Sequence, residues 1–521
     1  MRSAITAAAA RATSIGSVAG SSRSRAAGSS CTGGRLSRAE RPPPRPGRGG
    51  WMGAVTTRDS SVVIIGGGPG GYEAALVAAH LGARVTIVDR DGIGGAAVLT
   101  DCVPSKTLIA TADYMSAFET AADLGVHLED GEGDAVTDTV AALGEVNRRV
   151  LDLAAHQSSD ISARLDEVGV RVVSGTGRLE SPGVVVATTD EGDERLEADV
   201  VLVSTGATPR VLPTAQPDGE RILTWQQIYG LTELPEHLVV VGSGVTGAEL
   251  AQGFLGLGAR VTLVSSRDLV LPGEDQDAAA VIEDVFRRRG MTVLNRSRMA
   301  SAERRGDGVV VTLTDGREVE GSHVLIAVGA VPQTSGLGLE EAGVELSESG
   351  HVAVDRVSRT SVRGVYAAGD CTGVFALASV AAMQGRIAMS HALGDAVAPL
   401  RLGAVSANVF TDPEIATVGM TAAQAEASEE VEAVTMPLAR NPRAKMLGIS
   451  EGFVKMFSMR GAGTVLGGVV VAPRASELIF PLSLAVQNRL SVDQVAATFT
   501  VYPSLSGTLA EAARRLHPTE A

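Results

Sequence analysis

One short pattern occurs twice in this chain and restricts it more than any other feature. Gly66, Gly68 and Gly71 follow the apolar run Val62 to Ile65, and Gly242, Gly244 and Gly247 follow Leu238 to Val241. Each GxGxxG lies between a strand-like run and a helix-forming stretch. Each unit then closes on almost the same words, LGARVTIVDRD and LGARVTLVSSRD. Strand, glycine turn, helix, strand is a βαβ unit, and an uninterrupted Val/Ile/Leu run is a strand buried on both faces. The first glycine permits the tight turn, the second lets a pyrophosphate approach the backbone, and the third lets helix pack on strand. The copies are too far apart for a solenoid repeat, so the chain is expected to hold two doubly wound parallel-sheet units.

The length of 521 residues, with 45% hydrophobic and 20% charged, leaves room for several packed cores. From about Leu400 the texture changes to GFVKMFSM, TVLGGVVVA and SELIFPLSLAVQ, which predicts an antiparallel sheet with helices on one side. The expected fold class is therefore α/β, with two doubly wound dinucleotide-binding domains and a C-terminal α+β domain. No apolar run reaches the roughly 18 residues of a spanning helix, so no stable membrane insertion is expected.

Charge narrows the partners. The formal net charge is −15, although the first fifty residues carry nine Arg and one Glu. The remainder is more acidic still, and aromatic residues make up 3%. Nucleic acid is not an expected partner. Three cysteines, Cys31, Cys102 and Cys371, cannot staple a secreted scaffold. Lysine occurs only at 106, 445 and 455 while Ala, Gly and Arg abound, which points to a GC-rich bacterial genome and a cytoplasmic location. Residues 1–58, with the run Arg41-Pro42-Pro43-Pro44-Arg45-Pro46-Gly47, are expected to be a disordered extension. Met52 is an alternative start; an Arg-rich, acid-poor transit peptide has the same composition.

The two fingerprints differ where a ribose would bind. Asp89 ends the second strand of the first unit, where a carboxylate accepts hydrogen bonds from ribose hydroxyls. The equivalent position in the second unit is Ser265, followed by Ser266 and Arg267. Loss of the acid removes repulsion against a 2′-phosphate, and Ser265 with Arg267 can bind one. The second site is thus expected to take NADP(H) in preference to NAD(H), which uses the same fold.

Other segments carry a resemblance. VSTGATPR (203–210), AVGAVPQ (327–333), GVYAAGDCTG (364–373), VFTDPEIATVG (409–419) and GGVVVAPRASELI (467–479) occur in order. Residues 60–521 resemble the FAD-dependent pyridine nucleotide-disulfide oxidoreductases. The resemblance implies one bound FAD, one exchangeable nicotinamide, and a homodimer. It implies an FAD-binding domain at 59–205 and 330–400, an NAD(P)H-binding domain at 206–329 and a dimerisation domain at 401–521. Asp370 then meets the flavin ribityl chain, and the helix opening near Ala378 aims its positive end at the flavin. Gly206 and Gly329 complete the cofactor-binding candidates. Lys106 is expected to pair with Glu249 beside the flavin, where the pair polarises the ring during hydride transfer. No metal ligands are expected.

The departures from the family are informative. Its redox segment has two cysteines separated by four residues, followed by Pro-Ser-Lys. Here GGAAVLTDCVPSKT keeps Cys102, Pro104, Ser105 and Lys106 but has Ala97 in place of the first cysteine. One sulfur cannot form the relaying disulfide. Tyr502 stands where the family has its histidine and Gly507 where it has the partner Glu; His517 lies out of register. A tyrosine, with its ordinary pKa of about 10, is a poor base near neutrality. Cys102 is then either a charge-transfer thiolate or a small residue left from the scaffold. A narrower bacterial group of NAD(P)H quinone reductases within the family is similar at these positions. The resulting expectation is an NAD(P)H dehydrogenase that passes electrons through FAD directly to a quinone, with Tyr502 at a quinone oxygen across the dimer interface. Two other readings use the same cofactors: a flavin-dependent transhydrogenase, and a flavin-loaded redox sensor or complex subunit.

Overall fold

The computed structural model describes residues 60–121, 124–126 and 140–517. The expected N-terminal extension to residue 58, with Cys31 and Met52, lies outside the described residues, as do 127–139 and the residues after His517.

The first fingerprint strand, Ser61–Ile65, is the centre of a five-stranded parallel sheet. The strands run in the order Val365–Ala367, Val200–Val203, Ser61–Ile65, Arg84–Asp89, Arg171–Ser174. Alternation of side chains assigns its two faces. Val62 and Ile64 pack under helices Pro69–His80 and Ala378–Ala392, against Ala74, Ala78, Ala388 and Met389. Val63 and Ile65 pack under a three-stranded antiparallel sheet, against Leu179, Val185 and Ala187. Burial on both sides explains why this strand reads as an unbroken β-branched run.

The second fingerprint builds the same arrangement. Strands Thr292–Leu294, Arg260–Val264, His237–Val241, His323–Ile326 and Ile222–Thr224 form a parallel sheet in that order. Leu238 and Val240 face helix Val245–Gly256, whereas Val239 and Val241 face an antiparallel sheet through Ala302, Val309 and Val311. The short strands Ala207–Pro209 and Ala330–Pro332 pair where the chain leaves and re-enters the first unit.

Beyond Leu402 five antiparallel strands run in the order Ser406–Val409, Glu414–Gly419, Val465–Ala472, Phe453–Met459, Val431–Pro437. Helices Phe480–Asn488 and Gly507–Arg515 pack on this sheet through Leu482, Ala485, Leu509 and Ala512. Lys455 ties it to the second unit: Nζ donates to the buried Asp275 and to the exposed Asp277, at 2.7 Å each. Asp275 also caps helix Gln276–Arg288, accepting from the N–H groups of Asp277 and Ala278. Phe480, Leu484, Phe499, Val501 and Tyr502 of this sheet unit remain exposed. Among the described residues no helix is long and apolar enough to cross a membrane.

Candidate active site

The two glycine turns define two dinucleotide cradles. Gly66 has φ +103°, and a Cβ there would sit 2.3 Å from the Ser204 carbonyl oxygen. A Cβ on Gly71 would sit 1.9 Å from the Gly66 carbonyl oxygen, so the helix crosses the turn only because position 71 is glycine. Gly242 and Gly247 repeat these approaches, to Ala327 at 2.2 Å and to Gly242 at 1.8 Å. Each of Gly68 and Gly244 precedes its helix; a Cβ would meet nothing within 4 Å at Gly244 and only the Gly95 Cα, at 4.0 Å, at Gly68. The N–H groups that open each helix are thus accessible to a phosphate.

Asp89 does more than wait for a ribose. Its carboxylate accepts from the N–H groups of Gly67 at 2.6 Å, Asp91 at 2.9 Å and Gly92 at 2.5 Å. A carboxylate has about four acceptor positions, so one remains for a hydroxyl while the other three pin the glycine turn to the end of the strand. In the second cradle Ser265 is wholly buried. Its hydroxyl pairs with Ser243 Oγ at 2.7 Å and accepts from the Arg267 N–H at 3.1 Å. Ser265 therefore shapes the loop and does not face outward. The Arg267 side chain is exposed and has no carboxylate partner among the described residues, because neighbouring Asp268 is paired with Arg296 at 2.5 Å.

Between the cradles lies the redox segment. Helix Cys102–Ala121 packs along helix Val245–Gly256, where a Cβ on Gly253 would meet Leu108 at 2.8 Å. This contact brings Lys106 Nζ to Glu249 Oε2 at 2.8 Å, with the Glu249 side chain 2% exposed and that of Lys106 30% exposed. The other carboxylate oxygen, Oε1, accepts the Phe410 N–H at 2.8 Å, and Lys106 Nζ lies 5.1 Å from the centre of the Phe410 ring. Burial works against the ammonium, yet Glu249, Cys102 and Asp101 together hold its pKa above the ordinary lysine value. Phe410 was not a candidate from sequence; it lies in a segment recognised there only for its resemblance.

Cys102 starts its helix half-buried, and burial followed by the charge of Asp101 pushes its thiol to about 11. It is protonated at neutral pH, so the thiolate reading loses its physical basis. Cys371 is completely buried in the first core, with Sγ near the carbonyl oxygens of Ala368 and Val203. The two thiols are not bonded to each other. Asp370 opens a short 3-10 helix after Gly369, and burial, then the charge of Asp101, raises its carboxyl to about 6. Its carboxylate accepts no hydrogen bond from the described residues. Ala378 opens the long helix Ala378–Ala392. Gly206 and Gly329, at φ +69° and +97°, have nothing within 4 Å of a Cβ, and both lie beside the paired crossover strands. Tyr502 is 84% exposed.

Residues 60–385 match the pyridine nucleotide-disulphide oxidoreductase family, and residues 405–513 match its dimerisation domain. The chain belongs to this family. Over 466 residues it is 55% identical to an NAD(P)H dehydrogenase (quinone) of Mycobacterium tuberculosis, covering 87% of this chain and 93% of that one. It is 36% identical over 470 residues to dihydrolipoyl dehydrogenase 2 of Haloarcula marismortui, covering 89% and 97%. The crystal structure of LpdA from Mycobacterium tuberculosis superposes with a TM-score of 0.83 at 54% identity, covering 88% of this chain and all of that one.

Members of the family use FAD and NAD(P)H, and the residues here fit that pair. The first cradle has its open Gly68, the Asp89 carboxylate with an acceptor position to spare, and an unbonded Asp370; the second has its open Gly244. Among the described cysteines, Cys102 and Cys371 are both free thiols, and position 97 is alanine.

Proposed function

We propose that this protein oxidises NAD(P)H, NADPH in preference, and passes the electrons through FAD directly to a quinone. The observation that carries the reading is the combination at one site of an intact Lys106–Glu249 pair with a single protonated thiol. The nicotinamide side of the family's chemistry is retained and the disulfide side is not. FAD, when bound, accepts a hydride and releases electrons to the acceptor. Lys106, held by Glu249 against Phe410, supplies a fixed positive charge where negative charge develops. Glu249 keeps that ammonium in one position, since its second oxygen is anchored on the backbone of Phe410. The relative named as a quinone dehydrogenase supports the choice of acceptor.

The preference for NADPH rests on Arg267. With Ser265 turned inward, the serine offers a 2′-phosphate nothing directly, whereas the unpaired guanidinium of Arg267 can form a charge-assisted pair. The expected assembly is a homodimer in which the partner's C-terminal segment, including Tyr502, closes the acceptor side. Steady-state rates with a panel of quinones, lipoamide, glutathione disulfide and thio-NAD test the reading. Turnover with quinones and negligible rates with both disulfides are expected. Fast hydride exchange between NADPH and thio-NAD, with no quinone turnover, would favour a transhydrogenase.

A further inference from the structure

Glu249 and Gln252 lie one turn apart on helix Val245–Gly256, so their side chains leave the same face. Both are buried, at 2% and 8% exposed, and both turn to the segment Phe410-Thr411-Asp412. Glu249 Oε1 accepts the Phe410 N–H at 2.8 Å. Gln252 engages Asp412 with both ends of its amide. Its Oε1 accepts the Asp412 N–H at 2.9 Å, and its Nε2 donates to the Asp412 carbonyl oxygen at 3.0 Å. An acceptor and a donor closing on one residue's N–H and C=O is what a neighbouring antiparallel strand offers. Here a side chain offers it.

One hydrogen bond fixes a point, and a chain can pivot about it. The Glu249 contact alone leaves the direction of residues 410–412 open, and with it the place of the Phe410 ring. The fork at Asp412 supplies the second point. Asp412 has one other partner, Arg289, which reaches its carboxylate at 2.6 Å with the two side chains 35% and 32% exposed. A pair so exposed contributes little, and it holds the side chain rather than the backbone. The void left between Phe410, Glu249, Gln252 and Asp113 is about 10 Å³, at the lower limit for one water, so the packing around the fork is close.

The ring matters because of what it faces. Lys106 Nζ lies over it at 5.1 Å from its centre, while Glu249 Oε2 holds the same nitrogen at 2.8 Å. The carboxylate restrains the ammonium on one side and the negative face of the ring restrains it on another. With the ring displaced, an ammonium that is 30% exposed can swing about Glu249 toward water. Gln252 also has a plain structural explanation, as a tie between the second unit and the C-terminal sheet. Lys455 and Arg288 already make that tie, through Asp275, Asp277 and Glu451. Neither of them holds the backbone beside Phe410.

We propose that Gln252 is a positioning residue for reduction of the flavin. It fixes the backbone at Asp412, the backbone fixes the Phe410 ring, and the ring together with Glu249 fixes the Lys106 ammonium. Gln252 acts through Phe410 and itself carries no proton or electron. The inference rests on the reading that Lys106 assists hydride transfer to FAD, and adds the residue that keeps Lys106 in place.

The test uses FAD-loaded Gln252→Met, which keeps the length of the side chain and removes both hydrogen bonds. The chain has three lysines, so isotope-labelled lysine gives three side-chain NMR signals, and Lys106→Arg identifies one by its loss. In wild type the Lys106 signal should be displaced upfield by the Phe410 ring, relative to the exposed Lys445. In Gln252→Met it should move toward the Lys445 position. Lys455, over the Phe453 ring at 5.4 Å, should stay where it is and so report an intact fold. The limiting rate of flavin bleaching by NADPH should fall about tenfold, less than the roughly 10²–10³-fold of removing such a group, because the charge is displaced and not lost. The NADPH concentration for half-saturation and the FAD content should not change. Phe410→Leu should slow bleaching similarly, and adding Gln252→Met to it should change the rate by less than about twofold, since both act through one ring. An unmoved Lys106 signal in Gln252→Met, or slowing that multiplies in the double variant, overturns the proposal. A displaced Lys106 signal with unchanged bleaching would confirm that Gln252 places the ammonium and overturn the role assigned to Lys106 in flavin reduction. If Gln252→Met does not retain FAD, Gln252→Glu replaces it. That variant keeps the acceptor for the Asp412 N–H and loses the donor, and it should show the same displacement and slowing in smaller measure; an unmoved signal there overturns the proposal equally.

Discussion

Glu249 divides its carboxylate between a charge and the backbone: Oε2 holds Lys106 Nζ at 2.8 Å and Oε1 accepts the Phe410 N–H at 2.8 Å. The residue thereby joins three parts of the chain, the redox-segment helix, the second fingerprint helix and the start of the C-terminal sheet. Removing it loses more than a Coulomb interaction, because a part-buried ammonium and a backbone N–H both lose their partner.

Glu249→Leu is therefore expected to destabilise the protein by about 2–3 kcal/mol. A fully buried pair would cost about 3–5 kcal/mol, and the 30% exposure of Lys106 reduces the figure. Glu249→Gln keeps the hydrogen bond to Phe410 and should cost less in stability, yet still slow reduction of the flavin by NADPH. Chemical denaturation and stopped-flow bleaching of the flavin separate the two effects. Unchanged bleaching in Glu249→Gln would show that the charge on Lys106 does not depend on its partner.

Asp370 gives a pH signature. Its folded carboxyl, at about 6, lies above the ordinary 3.8. The folded state thus holds this proton more tightly than the unfolded one. Apoprotein stability falls as pH rises from about 4 to 6, and the cost is fully present above that window. Asp370→Asn should raise apoprotein stability at pH 7.5 by about 1–2 kcal/mol after allowance for solvent screening, and weaken FAD binding. Calorimetry of the apoprotein and FAD titration check both signs. A variant less stable than wild type at pH 7.5 would contradict the assignment.

Arg267→Ala should reduce kcat/KM for NADPH by a factor equivalent to about 1–3 kcal/mol, the usual value for a hydrogen bond to a charged group, and leave NADH nearly unaffected. Ser265→Ala tests the inward turn of that hydroxyl. It removes the bonds to Ser243 and to the Arg267 N–H, so it should perturb both nucleotides together.

The exposed residues Phe480, Leu484, Phe499, Val501 and Tyr502 bear on assembly. Phe499 is fully exposed in the single chain, and Phe499→Arg with Val501→Asp should move the protein from dimer to monomer by light scattering. The monomer is expected to keep FAD and lose quinone turnover, because the first cradle is complete within one chain. An active monomer would remove the partner's segment from the acceptor site.

The parallel units were legible from sequence because their signals are local. A glycine turn between a β-branched run and a helix implies the turn, the burial and the cofactor together. Lys106 and Glu249, 143 residues apart, were paired only through resemblance. No local pattern indicates that Gly253 lets their helices close to contact. Ser265 was read as the residue replacing the acid and able to meet a phosphate, but its hydroxyl turns inward to Ser243 of the glycine turn, 22 residues earlier in the same unit.

Direct transfer from flavin to acceptor, without a sulfur relay, is the central claim, and Cys102→Ala tests it most directly. The thiol at about 11 is protonated near neutrality and has no second sulfur at position 97. NADPH–quinone turnover by the Cys102→Ala holoenzyme should stay within about threefold of wild type, with normal flavin reduction. A variant that binds FAD and is bleached by NADPH at the wild-type rate, yet loses quinone turnover by about a hundredfold, would contradict the account and return the lone thiol to catalysis.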